Sequence, residues 1–154
     1  MPIKSFQGER VKKVKSTPRK LTVADIMTRN LILFKPDQSI HDVMKAFIQN
    51  RISGGPVLDD DGNLVGVISE ADCMKEISDS RYFNMPILDK SVAHFMTKKV
   101  DTINADMSVF DAASLFSKSS RRRYPVMKND RLVGQVSRKD IVVAAINMKS
   151  QTWR

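Results

Sequence analysis

The chain has 154 residues, 42% of them hydrophobic, with a formal charge of +9 and a pI near 9.9. That length and apolar content suit one globular domain, or two small halves sharing a core, and exclude a chain too polar to fold. Cys73 is the only cysteine, which excludes an intrachain disulfide; no apolar run reaches 18 residues and MPIKSFQGER lacks the features of a secretory signal, so a cytoplasmic location without membrane contact is expected.

Residues 1–20 form a basic arm in which seven Lys and Arg residues face Glu9 alone, giving six of the nine net charges. Its apolar residues follow no sustained period and Pro18 discourages a helix running into Leu21. Three readings stay open for it: a loosely held arm, a strand or wrap on a partner subunit, or contact with nucleic acid.

From Leu21 the chain reads as one unit written twice. A short helical turn, VADIMT at 23–28, leads to a brief strand near residues 31–34, and Ser39 then caps a helix with Ile40, Val43, Met44, Phe47 and Ile48 on one face. The strands 56–58 and 64–68 flank the Asp61-Gly62-Asn63 turn as a hairpin, and a helix follows from Glu70 to about Ile77. After a connector at 81–90 the order repeats: VAHFMT at 92–97, a strand near 100–103, Ser108 before Val109, Ala112, Ala113 and Phe116, a hairpin around Asn129-Asp130, and a helix from Arg138 to about Met148. A tail at 149–154 contains Trp153.

The copies align at an offset of 69 residues as far as the hairpin tip and 68 beyond it, where GVISEAD (66–72) meets GQVSRKD (134–140). A deletion confined to a hairpin tip leaves both flanking strands in register, whereas one inside a strand would invert its faces. The expected fold is α+β, with two β-α-β-β-α repeats at 21–80 and 91–148 packed as a pseudo-twofold pair, since neither alone covers both faces of its small sheet.

The ordered set VADIMT, strand, PDQSIHDVMKAF, GGPVLDDDGNLVGVISEADCMK, followed by its second round, resembles a tandem pair of cystathionine-beta-synthase (CBS) domains, or Bateman module, over about residues 21–148. The resemblance implies adenosine-containing ligands, such as AMP, ADP, ATP or S-adenosylmethionine, bound in two clefts between the copies as regulatory ligands rather than cofactors. It assigns ribose and nearby phosphate to Ser69 and Asp72 in one cleft and to Ser137 and Asp140 in the other. A second reading of Ser-x-x-Asp is a capping box, and Ser39-x-x-Asp42 and Ser108-x-x-Asp111 repeat that spacing away from the clefts.

By the same resemblance each cleft is completed by the opposite copy. Arg121, Arg122, Arg123 and Tyr124 would then face Asp72, while Ile52, Ser53, Gly54 and Gly55 would face Asp140, making one cleft cationic and the other small and neutral, with Lys98 and Lys99 as possible compensation. Phosphorylated adenosine is expected to prefer the Asp72 cleft, through forked bonds from Arg122 or Arg123. The alternative for the three arginines is a solvated charge run at a helix C-terminus. Candidates for the adenine slot are Leu33, Ile52, Ser53, Gly54 and Pro56 with Ile103, Tyr124 and Pro125, several of which serve equally well as plain core.

No catalytic constellation is readable. His41 and His94 are the only histidines, and neither a His-x-x-x-His pair nor a cysteine cluster offers a metal site. The expected role is therefore a non-enzymatic regulatory module acting on an effector protein whose identity the sequence does not give. It is expected to be homodimeric through its helices, because the Ile141–Ile146 stretch is more apolar than one buried face requires. The rival is a nucleic-acid-binding protein using the basic arm and Arg121–Arg123, although its sparse aromatics form no stacking array.

Overall fold

A computed structural model describes residues 20–83 and 90–152, with side chains over 20–79 and 90–148. The arm through Arg19, most of the connector and Trp153 lie outside the described residues. The first copy comprises α1 (Val23–Ile26), α2 (Ile40–Asn50), β1 (Gly54–Leu58), β2 (Leu64–Ser69) and α3 (Glu70–Phe83). The second comprises α4 (Val92–Phe95), β3 (Ile103–Asn104), α5 (Val109–Lys118), β4 (Arg123–Lys128), β5 (Arg131–Ser137) and α6 (Arg138–Thr152).

The amphipathic helices start where their caps predict. Ser39 Oγ accepts the Asp42 amide and Ser108 Oγ the Asp111 amide, each at 3.1 Å. Helix α2 buries Ile40, Val43 and Phe47, and α5 buries Val109, Ala112 and Phe116. Ile48 departs from the expected stripe: it is 79% exposed, at the edge of the face on which Ile40, Val43 and Phe47 are buried, and the helix ends at Asn50 before a left-handed Arg51. Helices α3 and α6 run beyond the expected Ile77 and Met148.

Each hairpin keeps its register despite unequal tips. Val57 pairs with Gly66 and Val126 with Gly134, and both ladders shift at the next residue. In the first tip Asp59 Oδ1 accepts the amides of Asp61 (3.0 Å) and Asn63 (2.8 Å), and Gly62 takes φ +81°. The bond from the Asn63 amide is the main cause holding the Asp59 carboxyl below its ordinary pKa. The shorter tip turns on Asn129 and Asp130, both at positive φ, as a two-residue hairpin requires. The expected strand near residues 31–34 reduces to a single parallel bridge from Phe34 to Val57, because Pro36 has no N–H to make the bond that its counterpart Ala105 makes to the Met127 carbonyl. Its counterpart, Ile103–Asn104 beside Val126–Met127, is a two-residue strand.

The structure departs most from a simple reading of two repeats in where each copy's leading segment goes. Val23 and Ala24 donate to Met107 and Ala105 of the second copy, while Val92 and Ala93 donate to Gln38 and Pro36 of the first. Thr28 exchanges both backbone bonds with Gln135, and Thr97 does the same with Val67, so each segment extends the opposite hairpin. Val23 belongs to the core of Ile103, Ala112, Phe116, Val126 and Val136; Val92 belongs to that of Phe34, Ile40, Val43, Phe47 and Ile68. The compact units therefore do not coincide with residues 21–80 and 91–148: each sequence repeat lends its first turn to the other. Both valines are fully buried, and burial of such a side chain stabilises by roughly 1.5–3 kcal/mol. Lys90, at the start of the second exchanged segment, places Nζ 3.8 Å from Oε2 of the buried Glu76 on α3 and over the Phe95 ring.

Gly66 and Gly134 make the crossings possible. A Cβ on Gly134 would stand 2.8 Å from the Thr28 carbonyl oxygen and 2.6 Å from Met27 Sδ; on Gly66 it would stand 3.0 Å from that of Thr97 and 2.7 Å from Met96 Sδ. Gly134→Ala is therefore expected to destabilise the chain by about 1–3 kcal/mol, as overpacking does elsewhere. Chemical denaturation measures this, and a change below ~0.5 kcal/mol would mean the crossing strand yields freely.

Candidate functional site

Strand β2 passes into α3 without a loop: Ser69 ends the strand and Glu70 begins the helix. The same junction recurs at Ser137 and Arg138. Each junction is tied to the segment before its own first hairpin strand, Glu70 donating to the Ser53 carbonyl (2.9 Å) and Arg138 to that of Arg122 (3.0 Å). At the first junction Asp72 Oδ2 accepts the Ser69 amide (2.8 Å) and hydroxyl (3.0 Å), while the Asp72 amide lies 3.4 Å from Ser69 Oγ. At the second, Asp140 Oδ2 accepts the Ser137 amide (2.9 Å) and the Asp140 amide donates to Ser137 Oγ (3.2 Å). Both Ser-x-x-Asp motifs are thus reciprocal capping boxes, and Oδ1 takes no part in these bonds.

A cavity of about 510 Å³ opens beside the first junction. One wall is the end of β2 and the first turn of α3, including Ser69 and Asp72. The second copy contributes the segment Ser120–Arg123 with Pro125 and Gln135, and the start of β1 contributes Ser53, Gly54 and Gly55. Thr97 and Val100 complete it. Asp72 and the three arginines therefore line one hollow.

The arginines differ in what holds them. Arg121 Nη2 pairs with Asp101 Oδ2 at 2.7 Å, and Arg123 Nη2 bonds Ser53 Oγ across the two copies. Arg122 is exposed, and among the described residues its guanidinium makes no bond. The run lies beyond the end of α5 at Lys118, and its backbone is fixed by Arg138, which donates to the carbonyls of Arg121 (2.8 Å) and Ser119 (3.1 Å).

Several expected positions need correction. Ser53, Gly54 and Gly55 line the Asp72 cavity rather than one beside Asp140, because the start of β1 pairs with Ser69 at the mouth of its own copy. A second hollow of about 430 Å³ includes Ser137 but not Asp140, and it is not neutral: Arg122, Arg123, Arg138 and Lys139 line it with Gln135. The cause is that α6 opens on Arg138-Lys139 and the arginine run lies on the wall shared by both hollows. Of the expected adenine slot, Leu33 is half exposed and off the cavity, while Pro56 and Ile103 are sealed in the interior. Ile52 packs against the core of the first copy. Tyr124 is buried with its ring edge-on to Phe116 and its hydroxyl donating to Ser119 Oγ at 2.7 Å. Pro125 does line the cavity, and so do Val67, Thr97 and Gln135, which the sequence alone does not single out. Their shared signal is the exchange of leading segments, since Thr97 bonds Val67 and Gln135 bonds Thr28.

Among the described residues no group of three or more His, Cys, Asp or Glu side chains is placed to hold a metal ion, and no helix is long and apolar enough to cross a membrane. Cys73, next to Asp72, is buried; desolvation first, then the charges of Asp72 and Glu70, push its thiol up to about 11.

The CBS domain family model matches residues 23–79 and 92–147. An uncharacterized protein of Methanocaldococcus jannaschii, MJ1426, is 32% identical over 155 residues, covering 82% of this chain and 92% of that protein. The chloroplastic CBS domain-containing protein CBSX2 of Arabidopsis thaliana is 30% identical over 159 residues, covering 85% of this chain and 66% of that protein. The crystal structure of CBSX2 in complex with AMP superposes with a TM-score of 0.74 at 30% identity, covering 84% of this chain and 98% of the other. The CBS domain pair of protein MJ0100, in complex with 5′-methylthioadenosine and S-adenosyl-L-methionine, gives 0.68 at 28% identity, again over 84% and 98%.

Two measurements follow from the local chemistry. Ser69→Ala removes the helix cap and is expected to cost about 1 kcal/mol in denaturant titration. Cys73 in the folded chain should react with a disulfide reagent at pH 8 about a hundredfold more slowly than in the unfolded chain, where the thiolate is far more abundant; equal rates would mean the thiol is not held in a desolvated site.

Proposed function

The chain belongs to the CBS domain family, carrying two copies in tandem, and from that premise we propose that it is a regulatory module binding phosphorylated adenosine in the cavity beside Asp72. One observation carries the reading. A hydroxyl and a carboxylate suited to a ribose, and guanidiniums suited to a phosphate, line a single cavity whose volume lies within the ~300–1,000 Å³ usual for small-molecule sites. Ribose hydroxyls donate to Asp72, the α3 N-terminus and Arg122 take the phosphate, and the base lies against Val67, Ile68 and Pro125. The relatives bound to AMP and to S-adenosyl-L-methionine support the adenosyl class. The hollow beside Ser137 is the second, weaker site.

No chemistry is required of such a module. The cavity is walled by both copies, so a ligand that binds one arrangement of them more tightly shifts the population towards it, and an effector protein reads the shift. The chain acts as a homodimer, supported by the exposed apolar side chains Val142, Val143 and Ile146 on α6 and Phe110 on α5.

Thermal melting tests this. AMP at a hundred times its Kd is expected to stabilise the chain by about 2.7 kcal/mol, or roughly 5–10 °C for a domain of this size. Arg122→Ala, at an exposed position, should leave the ligand-free Tm within about 1 °C and remove most of the shift. An unchanged Tm with AMP, ADP, ATP and S-adenosylmethionine would overturn the proposal.

A further inference from the structure

Arg122, Arg123 and Gln135 line both hollows. Arg123 is the more consequential, because its backbone and its guanidinium serve different sides. In the β4–β5 ladder Arg123 stands opposite Ser137, the residue that opens the second hollow, yet its Nη2 reaches across to Ser53 Oγ in the Asp72 cavity. The repeat offset places Gly54 at the equivalent position of the first copy, opposite Ser69. A glycine sends nothing back, so the reach across the pseudo-twofold axis runs one way.

We propose that Arg123 makes the two hollows compete, so that one phosphorylated adenosine bound beside Asp72 lowers the affinity of the hollow beside Ser137 for a second. This rests on the nucleotide reading above and adds a coupling to it. Of the other cations near the shared wall, Arg121 pairs with Asp101 and Arg138 is spent on the carbonyls of Arg121 and Ser119, while the exposed Arg122 makes no bond among the described residues. Arg123 is held by a neutral hydroxyl, which a phosphate displaces because charge-assisted bonds are stronger than neutral ones. One planar guanidinium cannot present its fork to phosphates in two hollows at once. The first phosphate therefore removes a cation from the second hollow and sets a like charge beside it, both of which disfavour a second anion. The chain then reports on one phosphorylated ligand at a time, and the empty hollow is a consequence of the filled one.

Calorimetric titration of the full chain with AMP tests the coupling. Two sequential events are expected, the second about tenfold or more weaker than the first, within the usual range of coupling between sites. Arg123→Gln should weaken the first event and bring the two affinities to within about threefold of each other. Ser53→Ala, which keeps the shared guanidinium and removes only its neutral partner, should leave the gap in place. Adenosine without phosphate should show no gap removable by Arg123→Gln. Equal, independent events in the original chain, a gap unchanged by Arg123→Gln, or a single event in both proteins would overturn the coupling and leave the nucleotide reading standing. No AMP binding at all would overturn both.

Discussion

The exchange of leading segments is the constraint on which the rest of the molecule depends. A two-stranded hairpin is marginal in water and a helix can cover only one of its faces. Thr28 bonding Gln135 and Thr97 bonding Val67 give each hairpin a further edge partner, and Val23 and Val92 fill cores that their own copies do not supply. Glycine at 66 and 134 is the local condition for this, since the crossing backbone passes where a side chain would otherwise stand. The pseudo-twofold relation is thus built into the hydrogen bonds, and the relative placement of the two Ser-x-x-Asp junctions follows from it.

The same economy holds at the site. Ser69 and Asp72 stop a strand and start a helix in one step, and that abrupt junction directs an amide-rich helix end and a carboxylate towards the hollow. The cap uses one carboxylate oxygen, Oδ2, and leaves Oδ1 outside the bonds of the junction. The opposing wall is fixed in the same spirit: Arg138 bonds the carbonyls behind the arginine run, and Tyr124 anchors Ser119 from the core. What differs between the hollows is a handful of side chains at equivalent positions, glycine at 54 against arginine at 123 foremost among them.

Much of this was legible in the sequence. The doubled pattern gave the α+β repeats, the capping serines gave the starts of α2 and α5, and the one-residue deletion was correctly confined to a hairpin tip, as the matched Val57–Gly66 and Val126–Gly134 pairs show. The family resemblance put Asp72 and Arg121–Arg123 in one cleft, and all four line the same cavity. The membership of each wall was not. Period and spacing describe neighbours along the chain, whereas the placement of Ser53, Thr97 and Gln135 depends on which copy a segment packs against. Pro56, Ile103 and Tyr124 illustrate the same limit, because an apolar residue beside a cleft and one in the core beneath it look alike in sequence.

Joining the two copies in one polypeptide has a consequence of its own. Two separate single-copy chains trading the same segments would be bound by exact symmetry, so any residue placed in one crevice would appear in its twin. Covalent linkage lifts that restriction. Substitutions accumulate on one side only, and a tandem arrangement is the least that permits a receptor with a dominant and a subordinate seat.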